Sequence, residues 1–437
     1  MSFVFSFLLF FVLILVKATC KKFQFRGISL CMTFVAFWFI ILFFRGFRFY
    51  GLYEASTIIY VYVLVGCLFF ALGYNLYGRT QRISQNALSR VNNIHISLNV
   101  FYYIALLFAF YIIIKQLIVI LPVIIASGIA EGRTEMQLEN LFLEGEWAIL
   151  MNYFARPFVK ASLVVMVVNF FRHKMKVYEI VALLIILVVA FASEGGRLLV
   201  MDVLFAFVYM FMVNRNIMRR KSKRTVYIVI AIIFSFIIYS TIDRGSAVLG
   251  SIYTYYCGGL TFLDQALLNN SQIFDPSLYG LNCYQGLFKP LCGILDYIGI
   301  PKPENLILAD KFILDAQDTG IFITPNDEIN YFMTIFGYAY RDGGLIFISV
   351  DLFIYGVLCF VADKRENLHR GDVRWTAIKI VFFYTLLYTM AAAPFATFMP
   401  VMTIVYIFVI TGKLFSKKEC TTKVPSENKL NINTKKI

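Results

Sequence analysis

The sequence predicts an all-α polytopic membrane protein with about eleven transmembrane helices and one large external loop of short amphipathic helices. Three observations predict it. The 437 residues are 60% hydrophobic and only 15% charged, with a mean hydropathy of +0.75, far outside the range of a soluble globular chain. Apolar runs long enough for a hydrocarbon core of about 30 Å, which takes about 17 to 25 helical residues, recur from end to end. The Lys and Arg residues fall in alternate loops, the pattern that orients membrane helices.

The runs lie near residues 2–16, 28–44, 57–76, 98–121, 148–171, 177–193, 198–213, 225–241, 343–362, 375–393 and 395–412. The first is a span and not a signal peptide: it has no basic segment before it and no small-residue cleavage site, and Lys17, Lys21 and Lys22 follow it. The fourth leads into the acidic amphipathic segment EGRTEMQLENLFLEGE, 131–146. The fifth carries Arg156 and Lys160, and the sixth and seventh flank SEGGR at 193–197. After the eighth, about a hundred residues intervene, rich in turn signals such as NNSQIFDPSLYG and PKPEN. Within this loop FLDQALL, GLFKPLCGILDYIGI and YFMTIFGYAY read as short apolar or amphipathic helices of the kind that lie in the interface or cover a cavity. The chain therefore divides into a bundle of eight spans (1–241), an external loop (242–342), three further spans (343–412) and a polar, basic tail (413–437) expected to be disordered.

If the segment 17–27 is cytoplasmic and sides alternate, the inner segments 17–27, 77–97, 172–176, 214–224, 363–374 and 413–437 hold 27 of the 40 basic residues. The outer segments hold 9, and Lys115, Arg156, Lys160 and Lys379 lie within spans. By the same boundaries 18 of the 26 acids are outside. The net charge of +14 is thus a topology signal, and nucleic acid is not an expected partner. Among the 8 cysteines no CxxC pattern occurs, and the long outer loop, with Cys257, Cys283 and Cys292, has room for one disulfide, such as Cys283 with Cys292.

Absences narrow the chemistry. No GxxxxGK[ST] motif occurs and no soluble cytoplasmic domain is present, which argues against ATP-driven transport and against a cytoplasmic nucleotide-sugar transferase. The 3 His residues, at 95, 173 and 369, all fall in inner loops, so no outer metal site or His base is expected.

Charge meets the membrane at the outer rim. Arg197 follows the sixth span in EGGR, Arg244 follows the eighth in DRGS, and Arg341 precedes the ninth in YAYRDGG, with Arg156 further in on the fifth. An Arg at a membrane surface is costly and so points to function. Its planar fork suits phosphate oxygens, and the Gly-rich backbone of EGG and RDGG can add N–H donors to cradle a pyrophosphate. The bland alternative is that these Arg residues end helices, pair with Glu194 or Asp342, or bind lipid headgroups. Tyr255, Tyr256, Tyr338 and Tyr340 are placed to stack on sugar rings, although tyrosines also populate the interfacial belt.

At EGGR, at DRGS with YTYYCGGLTFLDQAL, and at NDEINYFMTIFGYAYRDGGLIF, the chain resembles the Wzy-type oligosaccharide repeat-unit polymerases of O-antigen and capsular polysaccharide. The resemblance implies a GT-C-like glycosyltransferase in the bacterial cytoplasmic membrane, working on its external face. It would move a growing chain from undecaprenyl pyrophosphate onto the next lipid-linked repeat unit, with no cofactor and no metal. Partners beyond the lipid bilayer and the lipid-linked oligosaccharide would be chain-length regulator and flippase proteins. Arg197, Arg244, Arg341 and Arg156 would neutralise the departing pyrophosphate, and Glu194, Asp243 or Asp264 would be the general base. An O-antigen ligase shares this architecture, but the ligase resemblance carries an outer-loop His that is missing here. A polysaccharide flippase or other secondary transporter is the alternative from a different class, and it would line a central pathway with charge.

Overall fold

The computed structural model describes residues 1–22, 28–80, 94–138, 143–172, 177–194, 198–214, 248–269, 277–315, 320–325, 332–369 and 371–420, with short pieces at 226–227, 230–231 and 234–235. In chain order the helices are α1 (Ser2–Lys22), α2 (Leu30–Arg45), α3 (Thr57–Thr80), α4 (Val100–Leu138), α5 (Gly145–Leu150), α6 (Arg156–Arg172), α7 (Val177–Glu194) and α8 (Leu198–Asn214). They continue with α9 (Val248–Cys257), α10 (Gly259–Asn269), α11 (Leu281–Tyr297), α12 (Glu304–Asp315), α13 (Thr334–Leu368), α14 (Val373–Leu387) and α15 (Phe398–Ile410). The fold is all-α apart from a two-stranded ribbon of β1 (Ile94–Leu98) and β2 (Ser416–Cys420).

Five stretches of described helix are long and apolar enough to cross a membrane: Ser2–Thr19, Thr57–Tyr77, Val100–Ala126, Gly145–Arg172 and Thr334–Leu368. Shorter apolar helices occur at Leu30–Arg45, Val181–Ser193, Leu198–Asn214 and Phe398–Ile410. The expected eighth span lies mostly outside the described residues. Side-chain distribution is that of a membrane protein. Large apolar side chains face outward, among them Phe7 and Leu15 on α1 and Phe101, Leu107, Ile118 and Ile125 on α4, while Arg45, Asp202, Asp351, Asp363 and Lys379 are buried.

The helix ends sort into two sets. At one end the Leu30 amide donates to Asp363 Oδ2 at 2.9 Å, Arg172 donates to the Gly371 carbonyl, and Asn99 Nδ2 donates to the Leu414 carbonyl at 2.5 Å. The basic segments of the sequence attach at this end. At the other, Ser2 donates to the Leu42 carbonyl at 2.5 Å, Tyr53 to that of Ile323 at 2.9 Å, and Ile335 to that of Thr389 at 2.8 Å. The segment expected as an external loop packs on this second end as helices α9 to α12, and FLDQALL and the first part of GLFKPLCGILDYIGI are helical there.

Contact between α3 and α13 is set by glycine. A Cβ on Gly73 would lie 2.1 Å from the Phe353 carbonyl oxygen, and one on Gly356 would lie 2.1 Å from that of Phe70. Only hydrogen fits at either place, the small-residue contact that lets membrane helices approach closely.

From Thr334 on, YFMTIFGYAY is helical as expected, and helical geometry breaks at Gly343 and Gly344, next to the expected boundary at 342. Two expectations are corrected. The tail is not all disordered, because Ser416–Cys420 pairs antiparallel with Ile94–Leu98, His95 opposite Glu419. Cys283 and Cys292 are both free thiols. Nine residues apart on one helix, they are separated by about 13 Å of helical rise, beyond the reach of a disulfide.

Candidate functional site

Helix α13 is broken at the RDGG motif. Gly343 and Gly344 leave helical geometry, at φ 165°, ψ 39° and φ 66°, ψ −150°, and a second helical segment then runs on to Leu368. Only glycine adopts the backbone of Gly344 without strain. The break frees carbonyl groups that would be costly if left unpaired inside a membrane protein. Residues 277–283 satisfy them: Ser277 N–H donates to the Arg341 carbonyl at 3.2 Å, Tyr279 N–H to that of Asp342 at 2.8 Å, and Asn282 Nδ2 to that of Tyr338 at 3.1 Å.

In return the Asp342 carboxylate caps α11. It accepts from Asn282 N–H at 2.7 Å and from Cys283 N–H at 2.9 Å, two of the unpaired donors of that helix's first turn. The alternative in which Arg341 pairs with Asp342 is not the arrangement found: the Arg341 guanidinium lies 4.2 Å from the centre of the Phe312 ring of α12. Asp351 lies two turns past the break, and Tyr284 Oη donates to its backbone carbonyl at 2.8 Å. Burial, with Asp351 and Asp342 beside it, pushes the Cys283 thiol well above its ordinary range. A small cavity is lined by Cys283, Tyr284, Ile335, Asp351, Tyr355 and Phe395, among others.

Arg156 follows a π-turn. Residues Met151–Ala155 take π-helical geometry between α5 and α6. Pro157 has no N–H to offer the Tyr153 carbonyl four residues back, and Tyr406 Oη on α15 donates to that carbonyl at 3.0 Å instead. Arg156 Nη1 donates to Asn152 Oδ1 at 2.8 Å across the turn. Helix α11 links the two Arg sites, its first turn held by Asp342 and its Gly293 packed against Tyr153 Oη. Arg341 and Arg156 thus flank opposite ends of a helical stretch of roughly 15 Å by its rise, so they do not converge on one point.

One turn on, Lys160 Nζ lies 2.5 Å from Asp202 Oδ2 of α8 and 5.0 Å from the centre of the Tyr384 ring. At the opposite end of the bundle Lys379 meets Asp363 at 2.9 Å and Glu366 at 3.5 Å. Arg45, 2% exposed, donates to Tyr60 Oη, Thr261 Oγ1 and the carbonyls of Cys257 and Tyr53, tying α2 to the helices above it.

The remaining expected site residues divide. Arg197, Asp243 and Arg244 lie outside the described residues. Glu194 closes α7, but its side chain lies outside them too. Asp264 is buried, and both its oxygens are engaged by Ser56, from Oγ at 2.5 Å and from the backbone N–H at 2.8 Å, which anchors the start of α3. Tyr338 has no exposed surface and packs edge-on to Phe312, so its ring is not open to a sugar face. Tyr340 packs on Tyr62, and Tyr256 is partly buried against Phe37 with its hydroxyl pKa raised by that burial. Tyr255 is half exposed, next to Phe332.

Sequence reasoning missed Asp351 and Asp202. Each is a lone acid in an apolar run, ISVDLFIYG and LLVMDVLF, and that was the available signal. Comparison with family models, with curated proteins and with solved structures finds no match to this chain.

Proposed function

We propose that the chain polymerises undecaprenyl-pyrophosphate-linked oligosaccharide repeat units into O-antigen or capsular polysaccharide, on the external face of a bacterial cytoplasmic membrane. In this reading the end of the bundle opposite the basic segments is external and the chain crosses the membrane about eleven times. The observation that carries it is the helix break at RDGG, where Arg341 stands beside a newly started helix segment beneath the α9–α12 layer. A helix start and a guanidinium together favour a pyrophosphate. The reaction brings two carrier lipids together, and Arg341 and Arg156, at opposite ends of the α11 stretch, supply a separate cation for each.

Arg197 and Arg244 would complete the clamp on the leaving pyrophosphate, as the resemblance implies. With Asp264 committed to Ser56, Glu194 and Asp243 remain the candidates to take the acceptor's hydroxyl proton. Tyr255 is the tyrosine best placed to meet a sugar.

One observation favours a second reading as a polysaccharide flippase or secondary transporter: the bundle interior holds the Lys160–Asp202 and Lys379–Asp363 pairs, and buried intramembrane charge can line a transport path. The polysaccharide of a deletion strain separates the readings. Loss of a polymerase leaves single repeat units on the surface, loss of a ligase leaves free lipid-linked chains, and loss of a flippase leaves repeat units stranded inside. Any outcome but single surface repeat units rejects the proposal.

A further inference from the structure

We infer that Cys283, Asp342 and Asp351 form a zinc site that clamps the break in α13 to the start of α11. The thiol sulfur and one oxygen of each carboxylate lie within 4.8 Å of one another, and all three residues are buried. Asp351 is 3% exposed, yet its Oδ2 has no hydrogen-bond partner. With Cys283 it lines the cavity described above. Two carboxylates this close in a dry setting repel unless a cation or a proton lies between them. Among the described residues neither forms an ion pair with a Lys or Arg.

The donor set selects zinc. Magnesium and calcium take oxygen ligands, whereas zinc takes cysteine sulfur and carboxylate oxygen at about 2.3 and 2.0–2.2 Å. Tetrahedral bonds of those lengths hold ligand atoms about 3.5 Å apart, so modest closure of the cluster suffices. Asp342 is already oriented by the Asn282 and Cys283 N–H groups, as metal-ligating carboxylates commonly are, and Tyr284 holds the backbone of Asp351. Binding releases the Cys283 thiol proton and the proton shared by the two carboxylates to solvent, and leaves zinc with one thiolate and two carboxylates. The site is structural and does not rest on the polymerase reading.

The test uses the full-length chain, purified in detergent without chelator, dialysed against micromolar zinc and assayed for metal by mass spectrometry. About one zinc per chain is expected, together with a higher unfolding temperature than the chelated protein. Cys283→Ser, which preserves size and buried position, should lose both the metal and the zinc-dependent shift, as should Asp351→Asn. Cys257→Ser, at a buried cysteine that is not part of the cluster, should keep them. Wild-type protein without zinc, Cys283→Ser binding zinc as wild type does, or a site filled by magnesium and not by zinc would each overturn the inference. Because metal content is read directly, its failure is distinct from a failure to make polysaccharide.

Discussion

Removing the Asp202 carboxylate should be among the most destabilising single changes in the bundle. Asp202 is 1% exposed and Lys160 14%, with 2.5 Å between carboxylate and ammonium. Breaking a buried pair by deleting one partner costs about 3–5 kcal/mol, because the other charge is left uncompensated. Asp202→Asn should therefore lose about 3–5 kcal/mol. Replacing both partners with apolar residues, Lys160→Met with Asp202→Leu, should change stability by about 1 kcal/mol or less, since the desolvation penalty disappears with the charges. The assay is reversible unfolding in bicelles, read as a double-mutant cycle through the two single apolar variants and the pair, with a coupling energy of at least about 2 kcal/mol. If Asp202→Asn lies within about 0.5 kcal/mol of wild type, or if the double variant costs the sum of the singles, the pair is not the buried, mutually dependent unit described here.

Gly356→Ala should push α13 away from the Phe70 carbonyl and destabilise the α3–α13 contact by about 1–3 kcal/mol, measured by the same unfolding assay. Arg341→Ala should reduce polymer formation by about 100-fold or more while leaving protein level unchanged, and Arg341→Lys should restore it only in part, since Lys has charge without the fork; chain-length ladders on gels report both. Cys283 and Cys292 should show no mass change on reduction of the intact protein, and a two-dalton shift assigned to this pair would contradict their separation along α11.

The membrane class, the longest apolar helices and the helices of the 242–342 segment were legible because they rest on local signals: run length, turn residues and apolar periodicity. What stayed hidden depends on distant partners. RDGG reads locally as the end of a loop; that it breaks α13 and draws residues 277–283, some sixty positions earlier, onto the freed carbonyls is not visible from its own neighbourhood. The strand at Ser416–Cys420 lies in a polar tail without alternation, and its partner is more than three hundred residues away. In the candidate site, attention to basic residues inside spans identified Arg156 and Lys160 but passed over Asp202 and Asp351, whose meaning depends on what packs against them. Asp264 reads as a candidate base, and its actual partner, Ser56, stands just before α3, 208 residues earlier.

The central claim is tested most directly by giving the purified chain, reconstituted in liposomes, the undecaprenyl-pyrophosphate-linked repeat units extracted from its own deletion strain. The account predicts a ladder of chains growing by one repeat unit per step, with one free undecaprenyl pyrophosphate released for each linkage formed, and its loss in Arg341→Ala. Intact lipid-linked repeat units with no chain formed and no carrier released, from protein that is folded by the unfolding assay, would contradict it.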